Sequence, residues 1–541
     1  MTAPGLASSP RIADAPAPLW RHTTAADVRL GDRVVLGILT TAGLVAVVLL
    51  IDWWFRANHV AQPVLFVLLS LTFWYGISRI VLGWVNYLAV ARPAHRPAPP
   101  NLRVAIFTTS SPGEPLAMFD KTLAACARIR YAHTTYLLDD TRDARFREVA
   151  ERHGAVWLPL VDIPGAKAGK INRALELTDE EFILVLDPDH IPFPQFLDRV
   201  LGHFSDPRVG FVQVAQAYYN QRRSFTAAGA AEQTYAFYGP GLMGLYGHGA
   251  SVAIGANCTF RRAALASIGG HGIGLAEDLV TAIRLHGAGW QSIYVPEVVS
   301  RGLVPEDLAS FFRQQLKWAR GVHEVVFAEL PRLFTVLTWR QRLSYFAIGT
   351  YYFCGLTTAV FLVFPYLYLW TGVQPANMQF GSFLATAAPV GAVGLAIYLF
   401  VQRWLCDRDA ERGLHWRGLA LKMACWPVYL EGTVLAVLRA DIPYIPTAKQ
   451  AVRGRFLRLA WPQLTLIGVY AATLVYVINA RLLTADVSMS FTPEAIWGMA
   501  AFATVPVLSG VGALYAAWQS RHLPEDDPWD VVEVDAIGSD A

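Results

Sequence analysis

Two textures alternate along the chain. Unbroken apolar runs cover about 34–55 and 60–90 and stop at Ala91–Pro100, a linker holding four prolines. From about 102 to 330 short β-type runs alternate with helical stretches; the clearest strands are Val104–Thr108, Thr134–Leu138, Phe182–Leu186 and Val209–Val214. Long apolar runs return near 343–371, 382–402, 459–480 and 493–518. Each apolar run matches or exceeds the roughly 20 residues that a helix needs to cross the hydrocarbon. Strand–helix alternation argues for an α/β domain with a mostly parallel sheet. The pattern thus predicts an α-helical membrane bundle of about six spans with an α/β domain inserted after the second. The stretch 413–440 is interrupted by Lys422, Glu431 and Arg439. Burying such charges near the bilayer centre costs about 2.5–3.5 kcal/mol each, so an amphipathic helix at the interface or against the bundle is expected there.

The divisions that follow are a leader (1–33), two spans (34–92), a central domain (100–330), spans with the interfacial helix (331–440), a loop (441–458), two spans (459–520) and an acidic tail (521–541). The leader reads as disordered or interfacial and holds no short apolar run with a small-residue cleavage site, so no signal peptide is expected. Lys and Arg set the orientation. The leader (Arg21, Arg29, Arg33), the central domain and the 439–458 loop (Arg439, Lys449, Arg453, Arg455, Arg458) are basic, whereas the loops near 372–381 and 481–492 hold only Arg481. The positive-inside rule therefore expects a cytoplasmic domain and cytoplasmic termini.

Composition sharpens this picture. Of 541 residues, 54% are hydrophobic and only 16% charged, against about 25% charged in soluble proteins. A net charge of +3 gives no support to a nucleic-acid partner. Cys126, Cys258, Cys354, Cys406 and Cys425 lack metal-ligand or CxxC spacing and read as unpaired small hydrophobes.

Carboxylates sit just past two predicted strands, in Leu137-Leu138-Asp139-Asp140 and Leu186-Asp187-Pro188-Asp189. Ligands of open α/β sheets collect at the carboxyl ends of strands. Singly, an Asp-rich turn of this kind can do no more than cap a helix or close a loop; what points to chemistry is the set and its order. Asp187 and Asp189, at i and i+2, suit a hard cation that is completed by water and phosphate oxygens. Such an ion neutralises a diphosphate leaving group. His190 is either a further ligand or a supporting residue. Ala276-Glu277-Asp278 follows the glycine-rich Gly269–Gly274 and opens a helical run. These carboxylates are favourable partners of the helix dipole, and Asp278 is also placed to take a proton from an attacking hydroxyl. Lys167-Ala168-Gly169-Lys170-Ile171-Asn172 combines small residues that admit a nucleotide with lysines that meet phosphate, or is a basic turn before a helix.

Taken in order, Asp139-Asp140, Lys167–Asn172, Asp187-x-Asp189, Glu277-Asp278 and Gln314-Gln315-Leu316-Lys317-Trp318 resemble the motifs of family 2 processive glycosyltransferases, which include bacterial cellulose synthase, hyaluronan synthase and related β-glucan synthases. The resemblance implies a GT-A-type domain, a UDP-sugar donor, a growing polysaccharide acceptor, and Mg²⁺ or Mn²⁺ on Asp187 and Asp189. Asp139 or Asp140 would meet the uracil or ribose end, and Lys167 would lie near the nucleotide. Asp278, beside Glu277, would be the base of the TED element. Gln314, Gln315, Lys317 and Trp318 would form the QxxRW element, with Trp318 stacking under the acceptor sugar. Tyr444-Ile445-Pro446-Thr447-Ala448-Lys449 resembles the FxVTxK gating loop of cellulose synthase, in which Thr447 would contact the diphosphate and Lys449 anchor the loop. Tyr218-Tyr219-Asn220 and Gly255–Phe260 fall where the family lines its acceptor pocket.

The chain departs from that pattern at Ala276 for Thr, at Lys170 for Asn, at Tyr444 and Pro446 for Phe and Val, and at Lys317 for Arg, which loses the guanidinium's planar fork. The stretch after about 520 is short and acidic, so no PilZ domain is expected within this chain. The expected function is processive, inverting transfer, most simply from UDP-glucose to a β-glucan, coupled to export from a bacterial inner membrane with accessory export subunits as further partners. The alternatives are a hyaluronan- or chitin-type synthase using UDP-N-acetylglucosamine, a non-processive transferase acting on a lipid, and a non-catalytic transporter or scaffold. Aromatic residues such as Tyr351, Tyr352, Phe364, Tyr366, Tyr368 and Trp370 either line a polymer path or form an interfacial belt.

Overall fold

The structure, a computed structural model, describes residues 19–440, 442–443, 447–454, 456–483 and 493–537. Tyr444, the first part of the leader and most of the 481–492 loop lie outside the described residues.

Seven strands build the central sheet: β1 (Val104–Thr109), β2 (Thr134–Asp139), β3 (Val156–Pro159), β4 (Phe182–Leu186), β5 (Val209–Val214), β6 (Cys258–Arg261) and β7 (Gln291–Val295). Their spatial order is β3-β2-β1-β4-β6-β5-β7, with β6 antiparallel to both neighbours and the other pairings parallel. The sheet is therefore mixed, and three strands beyond the four readable ones complete it. Strands β1, β4 and β5 are buried along their whole length, so they read as continuous apolar runs and were easy to find. By contrast β3 is half exposed and its short pattern carries no clear period. The chain order reverses between β1 and β4, which opens a crevice outside their carboxyl ends.

Among the described residues, six helices are long and apolar enough to cross a membrane: Leu30–Trp54, Pro63–Leu88, Trp339–Thr371, Phe380–Trp404, Phe456–Ala480 and Pro493–Gln519. Two precede the sheet domain and four follow it. The first pair meets where Gly43 lies under the Trp84 ring; a Cβ there would come within 2.5 Å of the indole, so only glycine permits this approach. The Trp339–Thr371 element is broken at Tyr351–Phe353. Carbonyls at the break are also met from the second span: Tyr75 donates its hydroxyl to Thr350 and Tyr351 at 2.9 and 2.8 Å, and Arg79 donates to Ala347 at 2.5 Å. Backbone groups at membrane depth must be satisfied internally.

The 413–440 stretch forms two short helices, Trp416–Ala424 and Trp426–Val437. They pack against Phe225–Ala236 and Leu308–Glu324 respectively, so the stretch lies against the bundle and domain. One expectation is corrected. The end of the leader is pinned to the domain: Thr23–Thr24 pairs with Glu297–Val298, Trp20 is buried against Phe193 and Tyr219, and His22 meets Glu297 at 2.9 Å. The acidic tail is also docked, because Trp529, Val532 and Ile537 alternate with its carboxylates and are buried. Acidic composition hid these three apolar anchors.

Candidate active site

The crevice at the carboxyl ends of β1 and β4 continues into a cavity of 760 Å³. Its domain end is lined by Thr109, Ser111 and Glu114 after β1, by Asp187, Asp189 and His190 after β4, by Lys167, and by Glu277 and Asp278. Gln314, Gln315, Lys317 and Trp318 line it from the Leu308–Glu324 helix, and Thr447 and Lys449 close it from the loop. These residues, remote in sequence, are thus brought to one space. Asp139 and Asp140 are not among its lining.

The apolar strand β4 ends at Leu186, and the turn beyond it projects Asp187 and Asp189. Lys167, in the first turn of the Ala166–Leu177 helix, donates to Asp187 and to the Gly255 carbonyl. Asp189 is buried and accepts from Lys449 at 2.8 Å and from the Leu303 backbone amide at 3.1 Å. Burial alone would raise both carboxyls, but Lys167 and Lys449 hold Asp187 below its ordinary range, and Lys449 with His190 hold Asp189 well below it. Burial likewise opposes the charge on Lys167, and Asp187 and Glu277 outweigh it. The site is therefore a cluster of ionised carboxylates that demands positive charge.

Asp187, Asp189 and His190 present ligand atoms within 4.8 Å of one another. The Nδ1 of His190 is buried without a hydrogen-bond partner, 3.4 Å from an Asp189 oxygen, while its Nε2 lies 2.6 Å from the Gln216 amide nitrogen. An orphaned imidazole nitrogen beside two carboxylates is a donor set that fits a divalent cation.

Glu277 and Asp278 open the Glu277–Gly287 helix. The Asp278 carboxyl is pushed up to about 7 by burial and then by Glu277 beside it, against the pull of Lys167 and Lys317. Gly255, at φ +83°, lies so close that a Cβ would sit 3.1 Å from an Asp278 oxygen. A carboxyl poised near neutrality in a closed site suits a general base. Lys317 is buried enough that its ammonium is lowered. Gln315 accepts from the Tyr429 hydroxyl at 3.0 Å, and its amide nitrogen is buried without a partner, on the cavity wall.

Asp139 spends its acceptors on its own surroundings: Ser110, the Thr141 amide and hydroxyl at 3.0 and 2.8 Å, and the Trp157 indole at 2.9 Å. Asp140 accepts from the Asp162 amide at 3.1 Å and faces Lys170 at 3.6 Å. Both lie behind Ser110, which joins them to the cavity edge at Ser111. Tyr218 lines the cavity, whereas Asn220 is tied to Val304 and Glu306. Sequence reading missed Glu114, whose carboxyl burial pushes to about 7, and Gln216. The signal for Glu114 was its place in the first loop past β1, where two serines, a Gly and two Pro flank it.

The cavity does not end at the domain. Arg79 and Gly83 of the second span, Ala347 and Tyr351 at the break in the third, and Lys422 line its other half. Of the proposed path aromatics, Tyr351 and Tyr352 are on it and Phe364, Tyr366, Tyr368 and Trp370 are not.

This sheet order, with carboxylates at the switch point and at a helix start, fits a glycosyltransferase domain of the GT-A type joined to a bundle of helices long and apolar enough to cross a membrane. Residues 182–401 match the family model described as glycosyl transferase family group 2. Among curated proteins, the cellulose synthase catalytic subunit (UDP-forming) of Komagataeibacter sucrofermentans is 30% identical over 358 residues, covering 63% of this chain and 46% of that one. The corresponding subunit of Pseudomonas fluorescens is 31% identical over 245 residues, 44% of this chain and 33% of that one. The chain spans less than half the length of these relatives. Of solved structures, a mannosyltransferase of Pyrobaculum calidifontis in complex with GDP-Man and Mn²⁺ aligns at a TM-score of 0.49 and 18% identity, over 70% of this chain and all of that one. The chain is therefore similar to family 2 glycosyltransferases of the cellulose-synthase-like group.

Proposed function

We propose that this protein transfers a sugar from a UDP-sugar, UDP-glucose in the first instance, to the end of a growing β-glucan, with inversion, and passes the product through its own bundle. The observation that carries this reading is the single cavity running from Asp187, Asp189 and Asp278, past Trp318, to Arg79, Gly83 and Tyr351 of the membrane helices. A transferase that released each product to solvent would not need its acceptor wall to continue into spans.

In this reading Asp278 accepts the proton of the acceptor hydroxyl as its oxygen bonds to the anomeric carbon, and UDP departs from the opposite face. Burial and Glu277 hold Asp278 near neutrality, which makes it an effective base at cytoplasmic pH. Lys167, Lys317 and Lys449 place positive charge at the diphosphate end. Mg²⁺ or Mn²⁺ on Asp187, Asp189 and His190 would supply further neutralisation of the leaving group. Trp318 offers an indole face to the terminal sugar. We place the domain on the cytoplasmic side of a bacterial inner membrane, where UDP-sugars are made.

The test is turnover by the full chain in nanodiscs with UDP-glucose, then UDP-N-acetylglucosamine, and either metal. UDP release that is lost in Asp278→Asn, together with long glucanase-digestible polymer, is the expected result. Single-sugar lipid products would replace this reading with a non-processive transferase. Polymer made only from UDP-N-acetylglucosamine would move the donor to the chitin or hyaluronan type.

A further inference from the structure

A second cavity, of 660 Å³, lies outside the catalytic space. It sits where the domain-side ends of two spans converge. The Phe380–Trp404 span leads into its loop at 410–415, and the Pro493–Gln519 span supplies Tyr515 and Gln519. The start of the Phe225–Ala236 helix closes it, with the Phe225 amide donating to Gln519 at 2.6 Å.

Its charge is one-sided. Arg222, Arg223, Arg412 and Arg417 line it, against Glu232 and Glu411. Glu232 is consumed by Arg417 at 2.7 Å and the Gly418 amide at 2.9 Å. Glu411 is buried, accepts from the Asp407 amide at 3.2 Å, and burial pushes its carboxyl up to about 8. Arg223 is bound by Glu306 at 2.8 Å and Asp526 at 2.7 Å. Among the described residues, the guanidinium groups of Arg222 and Arg412 meet no carboxylate, and both residues are exposed. Two unneutralised guanidinium groups over a cavity whose own carboxylates are spent or protonated make a site for a phosphate group.

The rim says where that phosphate comes from. Leu414 and Tyr515 line it and are 66% and 46% exposed, and beside them Trp416, against Phe225, and Trp518, against Tyr515, are 58% and 49% exposed. The Phe225 ring packs 5.7 Å from Trp416 and 5.2 Å from Tyr515. Exposed Leu beside Trp and Tyr at the end of a span is the composition of a membrane–water boundary. A soluble phosphate compound has no use for that apolar rim; an acyl chain does. We propose that this cavity is a headgroup site for an anionic phospholipid of the domain-side leaflet, with Arg222 and Arg412 on the phosphate and Leu414 and Trp416 along the acyl chains.

Native mass spectrometry of the full chain, exchanged into micelles containing phosphatidylglycerol or phosphatidylcholine, tests this. The wild type is expected to retain phosphatidylglycerol and not phosphatidylcholine. Arg222→Gln with Arg412→Gln should weaken retention about 30-fold, from the worth of two basic groups near an anionic surface. Arg145→Gln with Arg147→Gln, on an exposed helix of the domain, should leave retention unchanged and controls for total charge. Intact UDP release by the cavity variant shows that it has folded. Equal retention by the cavity variant and the wild type would overturn the proposal. So would competition by millimolar glycerol 3-phosphate, which would make the site one for soluble phosphate.

Discussion

At the scale of single residues, Asp278 and its surroundings make the sharpest predictions. As the proposed base it would act only when ionised, and its carboxyl is raised to about 7 by burial and Glu277. Turnover should therefore fall about tenfold per pH unit below 7 and level off above it, in a pH–rate profile at saturating metal. Asp278→Asn should cost about 10²–10⁴ in kcat. The same substitution should raise the melting temperature at pH 8 but not at pH 3. A carboxyl whose folded-state pKa is raised favours the fold below its unfolded pKa of 3.8, and loses that contribution as pH rises through 7. A variant that lost activity and stability together at both pH values would point to a structural role instead. Gly255→Ala places a Cβ at φ +83° and 3.1 Å from the Asp278 carboxylate. It should lower kcat, with a stability loss of about 1–2 kcal/mol seen in thermal unfolding.

At the scale of elements, the Leu308–Glu324 helix and the tail are the informative parts. Trp318 sits on the cavity wall one residue after Lys317, so Trp318→Ala should shorten the product while leaving the KM for donor within about threefold, by the usual loss of a stacking face. Product sizing against donor kinetics separates these effects. Trp529 is 1% exposed, and Trp529→Ala should destabilise the domain by about 3–5 kcal/mol. The tail also ties the loop that carries Lys449, through Asp527 to Gln450 at 3.1 Å and the Pro524 carbonyl to Arg453 at 2.7 Å. The same variant should therefore expose residues 447–454 to protease. How much of this was legible depended on burial. Strands β1, β4 and β5, apolar throughout, could be read directly, as could the carboxylates just past β4. Strand β6 was not, because Cys258–Arg261 is short and mixes polar with apolar residues. Trp529 and Trp20 were lost in polar or Pro-rich surroundings that mimic disorder. The hydrogen bonds that tie Asp139 to Thr141 and Trp157 were also invisible in one dimension.

At the scale of the whole molecule, membrane bundle and domain share one space. Asp187, Asp189, Asp278, Trp318 and residues of the second and third spans line a single cavity of 760 Å³, and the proposed coupling of transfer to passage rests on that shared space. The most direct measurement uses sealed proteoliposomes with the domain facing outward and labelled UDP-glucose supplied outside. Labelled polymer that accumulates in the lumen, is protected from added glucanase until detergent is present, and is lost in Asp278→Asn is the predicted result. Polymer that stays outside and digestible, or label that stops at a single sugar on lipid, would contradict the account.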